Sequence, residues 1–175
     1  MGVMVILSGK AGAGKDTCGE YLVSLGYKRY AFADKLKEIA RLMGWDGEKD
    51  ERGRALLQEL GMAGRKYDPD IWVKLVIEKM EKEKPENIVI TDCRFRNEFD
   101  ALVKFAEEHG YEVVPILIKR ARAGLPDNLG KHPSEKEFES FPSIVISNDG
   151  TKAELYRQIR LKGKIYRKIE PDRLQ

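Results

Sequence analysis

Cysteine is scarce in this chain of 175 residues. Cys18 and Cys93 are the only two, too few for a disulfide framework and with no metal-ligand spacing. They read as bystanders in a reduced, intracellular protein. Long apolar runs are lacking too. The N-terminal stretch from Val3 to Leu7 is far too short to span a bilayer, and it has neither the basic flank nor the cleavage site of a secretory leader. No membrane contact is expected, and the cytoplasm is the expected location. An excess of one charge is missing as well: 32 Lys and Arg stand against 29 Asp and Glu, a net +3. That balance permits an anionic ligand without demanding nucleic acid. There is no internal repeat and no low-complexity segment.

What is present is alternation. Short β-branched apolar runs, "VMVILS", "NIVIT", "EVVPILI" and "SIVIS", and a short second strand, "KRYAF", are separated by longer stretches with helical spacing of apolar residues. Strand–helix alternation predicts an α/β fold with a parallel sheet. Asp34 is the expected N-cap of "DKLKEIARLMG", a short helix is expected at "RALLQELG", and the next at "PDIWVKLVIEKMEKEK". A further helix is expected at "EFDALVKFAEEHG", and Pro115 places the fourth strand near a sheet edge. Two segments are too long for a minimal alternation, residues 31–84 and the basic loop 120–141, and such segments often serve as lids or substrate modules.

The motif that carries chemistry is "LSGKAGAGKDT", Leu7 to Thr17. Gly9, Ala11, Gly12, Ala13 and Gly14 form a glycine-rich turn between a strand and a helix. There, inward N–H groups and the positive helix end would cradle phosphate, and Lys15 would reach the β- and γ-phosphates. The motif G-x-x-x-x-G-K-[ST] is broken at its last place by Asp16. Thr17 offers the hydroxyl one residue later. Asp16 either meets a water on Mg²⁺ or caps its helix. A carboxylate beside a triphosphate implies ATP with Mg²⁺.

Other candidates lie near the predicted strand ends, where ligands bind in parallel α/β sheets. Asp92 follows "NIVIT" and could orient Mg²⁺ through water or cap a helix. Asp34 and Lys37 follow the second strand, and Lys37 could hold an acceptor phosphate. Gln58 has the donor and acceptor that suit a base edge. Trp72 could stack on a base or belong to the core. Arg120, Arg122, Lys131 and His132 lie in the basic loop, with Arg120 the best placed to neutralise charge during phosphoryl transfer and His132 structural. Asn97 and Glu98 are expected to fix a turn rather than to do chemistry, and His109 to end a helix. The C-terminal "RQIRLKGKIYRKIEPDRLQ" carries seven cations against two carboxylates. It could track a nucleic-acid backbone, but a solvated helix face is the preferred reading.

"GKDT" resembles the deoxynucleoside monophosphate kinases of bacteriophages. So do "FADKLKE", "LLQELG" with Arg65 and "DPDIWV", "DCRFRNE", and "HPSE" with "SNDGT", in that order over most of the chain. Lys35 and Arg96 depart from the pattern, which has proline at both places. The resemblance implies a P-loop NTPase fold with a five-stranded parallel sheet flanked by helices. It implies a helical acceptor-binding insertion at about 34–84 and a lid at about 120–141, all within one domain. It implies transfer of the ATP γ-phosphoryl group to a (deoxy)nucleoside monophosphate, with Arg94 on the phosphates, Arg65 on the acceptor phosphate, and Asn148 and Gly150 near adenine through main-chain contacts. A homodimer is plausible for that group. Related folds handle phosphomevalonate and dephospho-coenzyme A, so those acceptors stay open.

Overall fold

A computed structural model describes residues 2–124 and 132–163. In chain order the elements are β1 (Val3–Ser8), α1 (Lys15–Ser24), β2 (Lys28–Tyr30), α2 (Ala33–Leu42), α3 (Glu51–Tyr67) and α4 (Ile71–Glu83). Then come β3 (Ile88–Ile90), α5 (Arg96–His109), β4 (Glu112–Lys119), two short 3-10 turns at Pro133–Glu135 and Glu137–Ser140, β5 (Ile144–Ser147) and α6 (Lys152–Lys162). Lys131 and the basic stretch beyond Gly163 lie outside the described residues.

The five strands form one all-parallel sheet in the order β2-β3-β1-β4-β5. β1 is central and buried along its whole length. Its apolar run is continuous because both faces are covered. Met4, Ile6, Ile88 and Ile90 face one core with Trp72, Val76 and Met80 of α4 and Phe99, Leu102 and Phe105 of α5. Val3, Val5, Leu7, Val89 and Ile116 face the other, with Cys18 and Leu22 of α1 and Leu155 and Ile159 of α6. The result is a three-layer sandwich whose strands all end on one side, beside the N-termini of α1 and α2.

Three local expectations are corrected. Pro115 does not mark an edge, because β4 lies between β1 and β5. Glu112 N–H donates to the Gly2 carbonyl, so the even-numbered residues of β4 turn to β1 and Pro115 turns the other way. The β4–β5 pairing begins only at Ile116 with Ile144, so no ladder bond is lost at the proline. Asp34 does not cap α2. The N-cap is Phe32, and its N–H and that of Ala33 donate to Asp92, 2.9 and 2.8 Å away. α3 is far longer than "RALLQELG": Asp50 caps it by accepting from Gly53 N–H at 2.7 Å. It also runs past Gly61, whose carbonyl receives the buried Trp72 indole N–H at 3.1 Å. Tertiary packing here overrides the cost of glycine within a helix.

One close approach brings α1 to the sheet. A methyl built on Gly19 would stand 2.5 Å from Thr91 Cγ2. Gly19→Ala should therefore destabilise the fold by about 1–3 kcal/mol through overpacking. Chemical denaturation checks this, and an unchanged midpoint would mean that α1 stands farther from β3 than described.

Candidate active site

The loop between β1 and α1 is shaped by backbone conformations that side chains resist. Gly9, Gly12 and Gly14 have φ of 145°, 76° and 107°. Gly9 also has no room for a side chain, because its built methyl would meet the Ile118 carbonyl at 2.5 Å. The loop is clamped from both sides. Asn148 Nδ2 donates to the Ala13 carbonyl at 2.8 Å, and Gly124 N–H donates to the Ala11 carbonyl at 2.9 Å. Lys15 opens α1 at its positive end and is buried, its ammonium donating to the carbonyls of Gly9 at 2.7 Å and Lys10 at 2.8 Å. A cation, a helix N-terminus and a curled backbone thus converge on one hollow.

Beside the loop opens a cavity of about 520 Å³. Its floor is Ala11, Gly12, Gly14, Lys15, Asp16 and Thr17. The end of β3 supplies Thr91, Asp92, Arg94, Phe95 and Glu98. The helical segment supplies Phe32, Leu36, Lys37, Lys49, Arg54, Leu57, Gln58, Arg65 and Trp72, and the opposite rim carries Arg120, His132 and Ser134. The cavity thus brings together most of the residues singled out in the sequence. Asp34 is not among them; it pairs with Arg29, which does line the cavity, through two contacts of 3.0 and 3.3 Å. Gly9, Ala13, Asn148 and Gly150 also lie off this cavity. Ala13 lines a second one of about 370 Å³, with Lys119, Arg120, Ala121 and Asp149. Asp149 accepts from Ala121 N–H and Ser147 Oγ, which hold its carboxyl below the usual range.

Two carboxylates organise the wall. Asp92 accepts from the Phe32 and Ala33 amides at the start of α2; burial raises its carboxyl, and the Ala33 and Phe32 amides pull it back. Glu98 is 1% exposed and accepts from Arg94 N–H and Phe95 N–H with one oxygen, at 2.9 and 3.0 Å. Its other oxygen accepts from Arg65 at 2.7 Å. Burial is the largest influence on Glu98 and raises its carboxyl, while Arg65 opposes it. Arg65 also lies 4.0 Å over the Phe95 ring. Arg94 reaches across to the Ser134 carbonyl at 2.8 Å, tying the end of β3 to the 3-10 turn beyond the basic loop. His132 Nδ1 accepts from Ser134 N–H, so it holds this turn. Trp72 is 5% exposed with its N–H satisfied by Gly61, so it builds the wall from within the core.

Sequence reasoning missed Arg29, Lys49, Arg54, Thr91, Phe95 and Ser134. A signal existed for Arg54. It stands at the head of the stripe Arg54, Leu57, Gln58, Gly61, Arg65, whose spacings of three and four keep one face of α3 on the cavity. Burial pushes the Cys18 thiol up to about 12 despite Lys15, and pushes Cys93 well above its ordinary value. Neither is an activated nucleophile. Among the described residues no His, Cys, Asp and Glu cluster could hold a metal ion by itself, and no helix is long and apolar enough to cross a membrane.

A central parallel strand running into a glycine-rich loop and a lysine-headed helix defines the P-loop NTPase fold. Solved structures agree on the fold. A gluconokinase from Sinorhizobium meliloti 1021 superposes with a TM-score of 0.50 at 18% identity, covering 97% of this chain and 98% of that one. No family model matches the chain. Among curated proteins, the uncharacterised ORF77 of Ictalurid herpesvirus 1 (strain Auburn) is 32% identical over 158 residues, 86% of this chain. The UPF0200 protein TV0279 of Thermoplasma volcanium is 31% identical over 117 residues, 67% of this chain. The alignments cover 65% and 61% of those relatives' own lengths.

Glu98 joins α3 to the end of β3, so Glu98→Ala should cost about 3–5 kcal/mol by leaving Arg65 and two amides without their acceptor. Urea unfolding measures this, and a loss below about 1 kcal/mol would refute the assigned hub, being the size of an exposed pair.

Proposed function

We propose that the chain is an ATP-dependent phosphotransferase that moves the γ-phosphoryl group to a (deoxy)nucleoside monophosphate, giving ADP and the diphosphate. The observation that carries this reading is one cavity with two different walls. One is a phosphate loop headed by Lys15, and the other bears cations, an amide and apolar side chains. Residues 34–84 then act as the acceptor module and 120–141 as the lid.

On this reading the triphosphate lies on the loop amides, with Lys15 turning from the Gly9 and Lys10 carbonyls to the β- and γ-phosphates. The adenosine extends past Ala13 toward the second cavity, between Arg120 and the turn at Asn148 to Gly150. Lys37 and Arg65 receive the acceptor phosphate. Gln58 meets the base edge among Phe32, Leu36 and Leu57, with Trp72 behind them. An acceptor phosphate oxygen attacks the γ-phosphorus in line as the bond to the bridging oxygen of ADP breaks. Arg94 and Arg120 face the charge that develops on the transferred group. The acceptor oxygen is already anionic, so no general base is required.

Magnesium fits the donor set, since Asp16, Thr17 and Asp92 are hard oxygen donors on one cavity. When bound, it would neutralise the phosphate charge. Asp16 and Asp92 would hold its waters rather than the ion, because Asp92 already accepts two amides.

A second reading keeps the chemistry and changes the acceptor to another phosphorylated small molecule. Lys49 and Arg54 favour it, because they add cations beyond the amide and apolar surface that a base needs. The nucleic-acid reading draws support only from exposed Arg157, Arg160 and Lys162 on α6.

ADP release from ATP and Mg²⁺ tests these readings, with each common deoxy- and ribonucleoside monophosphate, phosphomevalonate and dephospho-coenzyme A offered separately. Turnover with a nucleotide is expected. Turnover only with a non-nucleotide would move the assignment to the second reading. Lys15→Ala should lower turnover by about 10²–10³-fold while leaving the fold intact. Near-normal turnover in the folded variant would remove the loop from the mechanism.

A further inference from the structure

Thr91 follows the last residue of β3 and lines the main cavity beside Lys15, Asp16 and Thr17. It is 2% exposed. Its backbone N–H is used, donating to the Tyr30 carbonyl at 3.2 Å. Its side-chain hydroxyl has no hydrogen-bond partner among the described residues. Ser143 Oγ shares that condition, but Ser143 precedes β5 and lines neither cavity. An unpaired buried hydroxyl destabilises a fold, and valine would fill the same volume without that penalty. The Thr91 methyl occupies the space that a methyl on Gly19 would need.

We propose that Thr91 is a nucleotide-binding residue whose hydroxyl hydrogen-bonds the magnesium-bound triphosphate, at a phosphate oxygen or at a water on the metal. The inference rests on the phosphotransferase reading of the site. Asp92, the next residue, already accepts from the Phe32 and Ala33 amides, whereas the Thr91 hydroxyl has its whole bonding capacity to spare. Thr91 borders the same cavity as the first turn of α1, which carries Lys15, Asp16 and Thr17. A hydroxyl both donates and accepts, so it serves either a phosphate oxygen or a metal-held water.

The test pairs stability with binding in Thr91→Val and Thr91→Ser. Thermal unfolding of the unliganded proteins is measured first, then ATP affinity by calorimetry with Mg²⁺ and again with EDTA. Thr91→Val should melt at or above the wild-type temperature and bind ATP with Mg²⁺ about tenfold more weakly, the loss expected for one hydrogen bond to a charged group. Thr91→Ser should bind like the wild type. A loss equal in both arms assigns the contact to a phosphate oxygen; a loss confined to the Mg²⁺ arm assigns it to a metal-bound water. The proposal is overturned if Thr91→Val binds as the wild type does, or if it melts lower, because the hydroxyl would then have a structural partner. Failure of the wild type itself to bind ATP in either arm would instead overturn the phosphotransferase reading on which the proposal stands.

Discussion

The end of β3 is where the sheet takes hold of everything added to it. A three-residue strand is followed by a tight run from Thr91 to Glu98 that supplies two carboxylates, Asp92 half-buried and Glu98 buried. Asp92 grips the start of α2, and Glu98 grips Arg65 on α3 while fixing its own turn. Burial raises both carboxyls, and the amides bonded to each, with Arg65 at Glu98, oppose that rise. Besides these two groups, the Arg29–Asp34 pair, the Tyr30–Glu83 hydrogen bond and the Asn97 amide on Pro69 and Asp70 tie the helical segment to the sheet side. Non-directional contacts would not fix where Lys37 and Arg65 stand relative to Lys15.

The same run shows why a structural role and a role near the chemistry are hard to separate. Arg94 bonds the Ser134 carbonyl, Arg65 is paired and lies over Phe95, and His132 turns back on Ser134. These side chains line the cavity and also hold its parts together. Lys37, Lys49 and Arg120 differ, for each lines the cavity and its side chain makes no hydrogen bond or ion pair to another described residue. The side chains of the first group are held in place by these bonds, and those of the second are not.

The sheet was legible in the sequence because a doubly covered strand leaves a continuous β-branched run, as in β1 and β3, and shorter runs mark the other strands. The phosphate loop was legible for a similar reason: glycines at fixed spacing record a backbone shape. Asp34 as a cap was misread because capping is usually local, whereas α2 is capped by Asp92 from a distant strand. The length of α3 was misread because glycines normally end helices, and those here are tolerated where Trp72 packs and bonds. Pro115 was placed at an edge because composition does not reveal that β5 begins one residue too late to need its N–H. Thr91 was invisible, since only the neighbours of a hydroxyl reveal that it is unpaired.

The crowding of cations has a cost outside the chemistry. Eight Lys and Arg side chains line one cavity against three carboxylates, so the unliganded fold works against its own repulsion there. Whatever anion fills the space relieves that repulsion, whether or not it is a substrate. The stability of this protein is therefore partly a property of the salt around it, and phosphate or sulfate in a buffer is a participant rather than a background.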